Sequence, residues 1–113
     1  MSETIFDKII SKEMSAEIVY EDDECLAFKD VNPQAPIHIL IIPKISIAKI
    51  ADADTADQKI LGHLLLKAGE IAEDLGVKDA FRIVINNGEE AGQTVFHLHV
   101  HLLAGRPFNW PPG

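Results

Sequence analysis

Three histidines alternate with apolar residues near the end of the chain, in the stretch Phe96-His-Leu-His-Val-His-Leu-Leu103. Because alternate residues of a β-strand share a face, the pattern predicts a strand over residues 95–103 that presents His97, His99 and His101 together. The opposite face would be buried and would consist of Phe96, Leu98, Val100 and Leu102. A strand face made of imidazoles is poorly suited to packing, so we expect it to form a functional site.

The rest of the chain predicts two helices. Apolar residues at helical spacing behind Thr4, a candidate N-cap, indicate a short first helix that ends in a turn near Ser15. A second pattern repeats every three or four residues over 55–75 and stops before Gly76, which indicates one long helix. His63 lies on this helix, and an isolated histidine there is expected to have a structural role.

Strands are predicted around these helices, with an acidic turn at residues 21–24 between the first two. Their predicted ranges are 17–21, 25–30, 37–42, 81–86 and 95–103. With 113 residues, 47% of them apolar and no linker or repeat, the chain is expected to form a single domain spanning residues 1–113. The order of elements predicts an α+β fold with a five-stranded antiparallel meander sheet.

Charge and cysteine content narrow the possible functions. Ten Lys and Arg against eighteen Asp and Glu give a net charge of −8, which disfavours binding to nucleic acids but leaves a small anion possible. The single cysteine, Cys25, cannot form an intrachain disulfide, and the sequence begins without a signal peptide. Apolar runs are far shorter than the roughly 20 residues of a membrane span. We therefore expect a cytoplasmic protein that does not associate with membranes.

The histidines allow two kinds of chemistry. Residues i and i+4 of a strand are about 13 Å apart, so one zinc ion cannot easily bind all three, although two of them with His38 could. Alternatively, neutral imidazoles could donate hydrogen bonds to a phosphate, and one could attack phosphorus. Gly92, Gln93 and Thr94 would add a close backbone, an amide and a hydroxyl beside them.

The alternating motif resembles the signature of the histidine triad (HIT) superfamily, His-φ-His-φ-His-φ-φ with φ apolar, which residues 97–103 match at every position. The resemblance extends over nearly the whole chain to the Hint branch, the histidine triad nucleotide-binding proteins. The matching segments are 4–10, 21–28, 30–36, 38–44, 92–97 and the terminal Trp-Pro-Pro-Gly at 110–113. It implies a HIT-like fold and a homodimer.

This resemblance implies a purine nucleoside phosphoramidase that cleaves the P–N bond of AMP–amine or GMP–amine conjugates without a cofactor. His99 would be the nucleophile and would form a nucleotidyl-histidine intermediate. His38, His97 and His101 would bind the phosphate or orient His99, and Asn86 and Thr94 would contact the phosphate and the leaving group. Asp30 would hold the ribose, and Trp110 would lie near the partner's site. The base pocket would consist of Ile5, Phe6, Ile9, Phe28, Val31 and Leu40.

Two positions depart from the Hint pattern. Thr94 stands where many members have serine, and Ser46 stands where a histidine often follows Pro-Lys. Two alternative functions remain open at this point. One is a nucleotide-binding adaptor whose hydrolysis is incidental, and the other is a zinc-binding protein.

Overall fold

A five-stranded antiparallel sheet forms the centre of the fold in the computed structural model, which describes residues 3–113. The strands are β1 (Ile18–Glu21), β2 (Cys25–Lys29), β3 (Ile37–Pro43), β4 (Phe81–Val84) and β5 (Val100–Ala104). A short helix, α1 (Ile5–Ile10), precedes the sheet, and a long one, α2 (Gln58–Asp74), connects β3 to β4. The predicted α+β class is confirmed.

The strand order is β1-β2-β3-β5-β4, so the predicted meander holds for the first three strands only. After α2 the chain enters the sheet at the edge as β4 and returns as β5 between β3 and β4. Burial explains this order. Val100, Leu102 and Ala104 of β5 are almost fully buried, whereas every residue of β4 keeps intermediate exposure, as suits an edge strand.

Each face of the sheet carries its own core. Beneath α2, the helix residues Leu64 and Ala68 pack with the strand residues Cys25, Ile41 and Leu102. On the other face, α1 packs through Phe6 and Ile9. Its partners on the sheet are Leu26, Phe28, Leu40 and Ile42. Two separate environments therefore lie on opposite sides of the sheet.

Within residues 3–113 no helix has the length and apolarity needed to cross a membrane.

Both helices are slightly shorter than predicted. The first begins after Thr4 as expected but ends at Ile10, where Ser11 closes the last turn. The second is preceded by a 3₁₀ turn at Thr55–Asp57, so its α-helical part begins at Gln58 instead of residue 55. Gly76 has φ +78°, which is a left-handed conformation that glycine adopts without a Cβ penalty after a helix C-terminus.

The histidine strand is also shorter than predicted, since β5 begins only at Val100. Its pairing with β3 starts at Ile41–Val100, and the amide of Leu98 instead donates to the carbonyl of Ile47 in a loop, at 2.7 Å. Leu98, Val100 and Leu102 are buried as predicted. The prediction for Phe96 is wrong: its ring is 43% exposed because it precedes the segment that the sheet orders.

Asp7 has a structural role that yields a prediction. It forms a capping box with Thr4, in which the Thr4 amide donates to Asp7 Oδ2 at 2.8 Å and the Asp7 amide donates to Thr4 Oγ1 at 3.3 Å. We expect Asp7→Ala to lower the free energy of unfolding by about 1 kcal/mol. Urea denaturation monitored by circular dichroism measures this. Asp23→Ala, on the exposed β1–β2 turn, is the control, and an equal loss in both variants would contradict the capping role.

Candidate functional site

A cavity of about 260 Å³ opens on the α1 face of the sheet, between α1, the end of β2 and the segment that leads into β5. All six residues predicted for the base pocket line it, namely Ile5, Phe6, Ile9, Phe28, Val31 and Leu40. Asp30, Thr94, His99 and His101 line it as well. The cavity therefore combines an apolar wall with two imidazoles, a carboxylate and a hydroxyl.

Phe6 connects the apolar wall to the histidines. Its ring meets Phe28 edge to face at 5.5 Å between centroids and meets His99 in the same way at 5.1 Å. Edge-to-face contacts of this kind stabilise aromatic pairs beyond the area that they bury. The ring of Phe6 therefore fixes the plane of the His99 imidazole while also forming part of the cavity wall.

A chain of hydrogen bonds assigns the protons of two histidines. The backbone amide of Gln34 donates to His38 Nδ1 at 3.0 Å, so His38 carries its proton on Nε2. That nitrogen lies 2.9 Å from His101 Nδ1 and donates to it. His101 must then carry its own proton on Nε2. This relay from Gln34 through His38 makes His101 a hydrogen-bond donor within the cavity lining. The role of the Gln34 amide was not predicted from the sequence.

His99 is the opposite tautomer, with its proton on Nδ1 instead of Nε2. Its Nδ1 lies 2.8 Å from the carbonyl oxygen of His97 and donates to it, since a carbonyl can only accept. The lone pair is therefore on Nε2, which accepts no hydrogen bond from within residues 3–113. An imidazole held in one tautomer with a free lone pair is a good nucleophile.

His97 is buried beneath the cavity instead of lining it. It is 1% exposed, and its Nε2 donates to the carbonyl of Pro43 at 2.8 Å. Its Nδ1 has no hydrogen-bond partner among the described residues, and Asp7 Oδ1 lies 3.5 Å away. His97 thus anchors the segment before β5 to the end of β3 and presents its backbone carbonyl to His99.

Burial keeps the imidazoles near the cavity neutral. Loss of hydration lowers the pKa of His99 and that of His38, although the Asp30 carboxylate partly opposes the shift at both. Burial, together with His99 and His38 nearby, lowers the pKa of His101 to about 4. At neutral pH the imidazoles therefore offer hydrogen-bond donors and a lone pair without positive charge, and Lys29, the one cation among the described residues that line the cavity, pairs with Glu17 at 2.7 Å.

Five residues predicted to bind substrate do not line the cavity, namely His38, described above, and Gln93, Asn86, Gly92 and Trp110. Gln93 is 1% exposed, and its amide accepts from the Gly88 amide at 2.9 Å and donates to the carbonyls of Ala48 and Val95. It thus holds the loop before the histidines, and its side chain is not free for a ligand.

Asn86 and Gly92 are neighbours: a Cβ placed on Gly92 would lie 3.7 Å from Asn86 Nδ2. Both belong to the loop beside the cavity. Trp110 is 83% exposed on the C-terminal tail. Met14, Ser15 and Ala16 line the cavity but were not predicted, because residues in the turn after a helix carry no pattern that marks a pocket.

The structure also changes the set of residues that could bind a zinc ion at the cavity. The donor atoms of Asp30, His38 and His101 lie within 4.8 Å of one another, so the set that could hold an ion contains a carboxylate and only one residue of the triad motif. His38 Nε2 is 3.5 Å from Asp30 Oδ2. Nitrogen and oxygen donors suit zinc, but an ion here would have to displace the proton that His38 shares with His101.

Comparisons with known proteins identify relatives over nearly the whole chain. An uncharacterized HIT-like protein of Synechocystis is 66% identical over 111 residues, which cover 98% of this chain and 97% of that protein. A maize protein named 14 kDa zinc-binding protein is 54% identical over 114 residues, which cover 99% of this chain and 89% of the maize protein.

Solved structures show the same fold. A HIT family hydrolase from Legionella pneumophila superimposes with a TM-score of 0.96 at 44% identity, over 98% of this chain and all of that one. A histidine triad nucleotide-binding protein from Candida albicans gives a TM-score of 0.83 at 29% identity, over 96% and 83% of the two chains. The family model described as the HIT domain matches residues 11–108. The chain belongs to the HIT domain family.

Proposed function

We propose that this protein is a purine nucleoside phosphoramidase of the Hint type, with His99 as its nucleophile. The observation that carries the proposal is the fixed tautomer of His99, whose Nδ1–H is held by the His97 carbonyl while its Nε2 lone pair is free. This imidazole lines the same cavity as His101, a hydrogen-bond donor. A nucleophile and a donor side by side suit attack on a phosphorus atom that carries negative oxygens.

The proposed reaction has two steps. His99 Nε2 forms a bond to phosphorus, the P–N bond breaks, and the departing amine takes up one proton from solvent through the Thr94 hydroxyl. His101 Nε2–H donates to a phosphate oxygen throughout. In the second step a water oxygen bonds to phosphorus, the bond to Nε2 breaks, and its electron pair returns to the imidazole. The water releases a proton to solvent, and AMP or GMP is the product.

The cavity supports a nucleotide as the substrate. Its apolar wall suits a purine, and Asp30, already oriented by the Asn32 amide at 2.8 Å, offers a carboxylate to ribose hydroxyls. The Candida albicans protein is named as nucleotide-binding and the Legionella protein as a hydrolase, which supports the same class of activity here. The proposed reaction needs no cofactor.

We further propose a cytoplasmic homodimer. On α2, Leu65 and Leu66 are 46% and 71% exposed, which gives the helix an apolar surface suited to a second copy. Trp110 does not line the cavity of its own chain, so a role in binding would require that it reach the partner's cavity. The homodimer and the position of Trp110 near the partner's site also follow from the resemblance to the Hint branch.

Replacing the nucleophile tests the mechanism. We expect His99→Ala to lower kcat/KM for an adenosine phosphoramidate by about a thousandfold or more, because among the described residues His99 is the only imidazole of the cavity lining whose unprotonated nitrogen accepts no hydrogen bond. Rapid denaturation of the unmodified protein at alkaline pH during turnover, which preserves the acid-labile P–N bond to histidine, should reveal a mass increase equal to one nucleotidyl group, located on His99. Asp79→Ala, an exposed residue before β4, is the control. Unchanged hydrolysis in His99→Ala would refute the assignment.

The lowered pKa of His99 predicts the pH dependence of adduct formation. The proposed nucleophile loses its lone pair when it is protonated. Burial lowers the pKa of this protonation below the usual histidine value of 6.5. With a weakly basic leaving group, which departs without a proton, the single-turnover rate should fall as the pH is lowered, with a midpoint below 6.5. Rapid-quench measurements across this transition test it. A midpoint at or above 6.5 would contradict the burial of His99.

Zinc binding is the second candidate function. It is favoured by the three converging donors Asp30, His38 and His101 and by the name of the maize relative. We expect protein treated with a chelator and shown to be metal-free to retain its full phosphoramidase rate. Loss of activity that stoichiometric zinc restores would instead establish a catalytic ion. A third outcome, tight AMP binding without turnover of any amine conjugate, would favour the adaptor hypothesis.

A further inference from the structure

A second cluster of ligating side chains lies on the α2 face of the sheet, away from the cavity. Asp22 lies on the β1–β2 turn, Cys25 begins β2, and His63 is in α2. Their donor atoms all lie within 4.8 Å of one another. Cys25 belongs to the core beneath α2, whereas Phe6, Phe28 and Leu40 of the cavity wall belong to the core on the other face. The cluster is therefore independent of the proposed catalytic site.

The protein orients Asp22 tightly. Its Oδ1 accepts from the amides of Glu24 and Cys25, both at 2.8 Å, and its Oδ2 accepts from the Tyr20 hydroxyl at 2.8 Å. The same Oδ2 lies 2.7 Å from His63 Nε2, so a proton occupies the space between them. These bonds lower the pKa of the Asp22 carboxyl far below its ordinary value and keep it charged. An anionic oxygen is thus fixed beside a thiol and an imidazole.

This donor set matches what zinc prefers. Sulfur, nitrogen and oxygen donors bind zinc at about 2.0–2.3 Å, which places the donors of a tetrahedral site about 3.3–3.8 Å apart. The donor atoms here lie within 4.8 Å of one another, with Asp22 Oδ2 and His63 Nε2 at 2.7 Å, so their separations bracket that spacing. Glu24 Oε2 lies 3.5 Å from His63 Nδ1, the nitrogen that would face away from the ion. A carboxylate on the outer nitrogen of a metal-binding histidine is a recurrent supporting contact.

We propose that Asp22, Cys25 and His63 form a zinc-binding site, with Glu24 orienting His63 through its outer nitrogen. The side chains of Asp22 and His63 are 25% and 23% exposed, so an ion can reach the site from solvent. A surface recess of about 560 Å³ lined by Glu24, His63 and Lys59 adjoins it. Three protein donors leave one coordination position for water.

Binding also accounts for the protons of the cluster. Without metal, Cys25 is a thiol buried in the core beneath α2. When the ion binds, a metal–sulfur bond forms and the thiol proton leaves to solvent. The proton that His63 Nε2 shares with Asp22 moves to Nδ1, where Glu24 accepts it, and Nε2 gives its lone pair to the ion. Affinity should therefore rise with pH.

Cobalt is the probe that tests this site, because it replaces zinc and absorbs light. Titration of the full-length protein with Co²⁺ should reach one equivalent with a near-ultraviolet band from sulfur-to-metal charge transfer, and Zn²⁺ should abolish the band. We expect Cys25→Ser to remove the band and His63→Asn to weaken Co²⁺ binding at least tenfold. Glu24→Gln should weaken binding by about 10-fold or more, as loss of an outer-sphere partner does.

The control variant removes the second group of possible metal ligands, Asp30, His38 and His101 at the cavity. The double variant Asp30→Asn, His101→Asn lacks two of the three donors at the cavity and should keep the near-ultraviolet band unchanged. If the band is absent from the unmodified protein, or if binding is unaffected by His63→Asn, the cluster is only a hydrogen-bonded support for the β1–β2 turn and the proposal is wrong. His63 is half-buried on α2, so His63→Asn remains informative if Cys25→Ser fails to fold. The Co²⁺ absorbance and binding measurements do not involve hydrolysis, so their outcome does not depend on the proposed phosphoramidase activity.

Discussion

The antiparallel pairing of β3 with β5 positions the histidine pair of the candidate active site. His38 lies opposite Leu103, and Leu40 lies opposite His101, so the two histidines are diagonal neighbours on one face of the sheet. Diagonal neighbours are within reach of long side chains, and here the two rings bond at 2.9 Å. A register shift of one residue would move His38 into the core beneath α2. The bond between His38 and His101, and with it the tautomer of His101, depends on this one register.

The net charge of −8 and a phosphate ligand are compatible because of how the site is built. Burial keeps His99 and His101 neutral, so they act by hydrogen-bond direction and a lone pair instead of by attraction over distance. Recognition of this kind works only at contact. It suits a small ligand that the cavity encloses and not an extended polyanion, which needs clustered cations on an open surface. The acidity of the chain therefore limits the size of the ligand more than its sign.

The sequence predicted what depends on periodicity and missed what depends on the ends of elements. The alternation of Leu98, Val100 and Leu102 and the helical spacing of Phe6 and Ile9 correspond to buried faces, because burial imposes those periods. The predicted strand extended too far, since the pairing ends where Leu98 bonds to a loop, which no local pattern encodes. Gln93 was assigned to substrate for its amide, yet its partners come from residues up to 45 positions away.

The acidic turn shows the same limit. Residues 21–24 have the composition of a solvated loop, and the hairpin there was predicted correctly. What composition could not reveal is that Asp22 turns inward to His63, 41 residues along the chain, because only the packing of α2 on the sheet brings the two together. Two histidine environments thus arise from one sheet, each defined by contacts between distant segments.

The cavity and α1 depend on each other. A helix of six residues is far too short to persist alone in water, so α1 exists only through its capping box and the packing of its apolar face. The side chains that supply that packing, Phe6 and Ile9, are also wall residues of the cavity. A change that enlarges the cavity at Phe6 therefore also removes the contact that orients His99 and part of what holds α1 in place. The shape of the pocket, the plane of the His99 ring and the stability of the first helix cannot be varied separately.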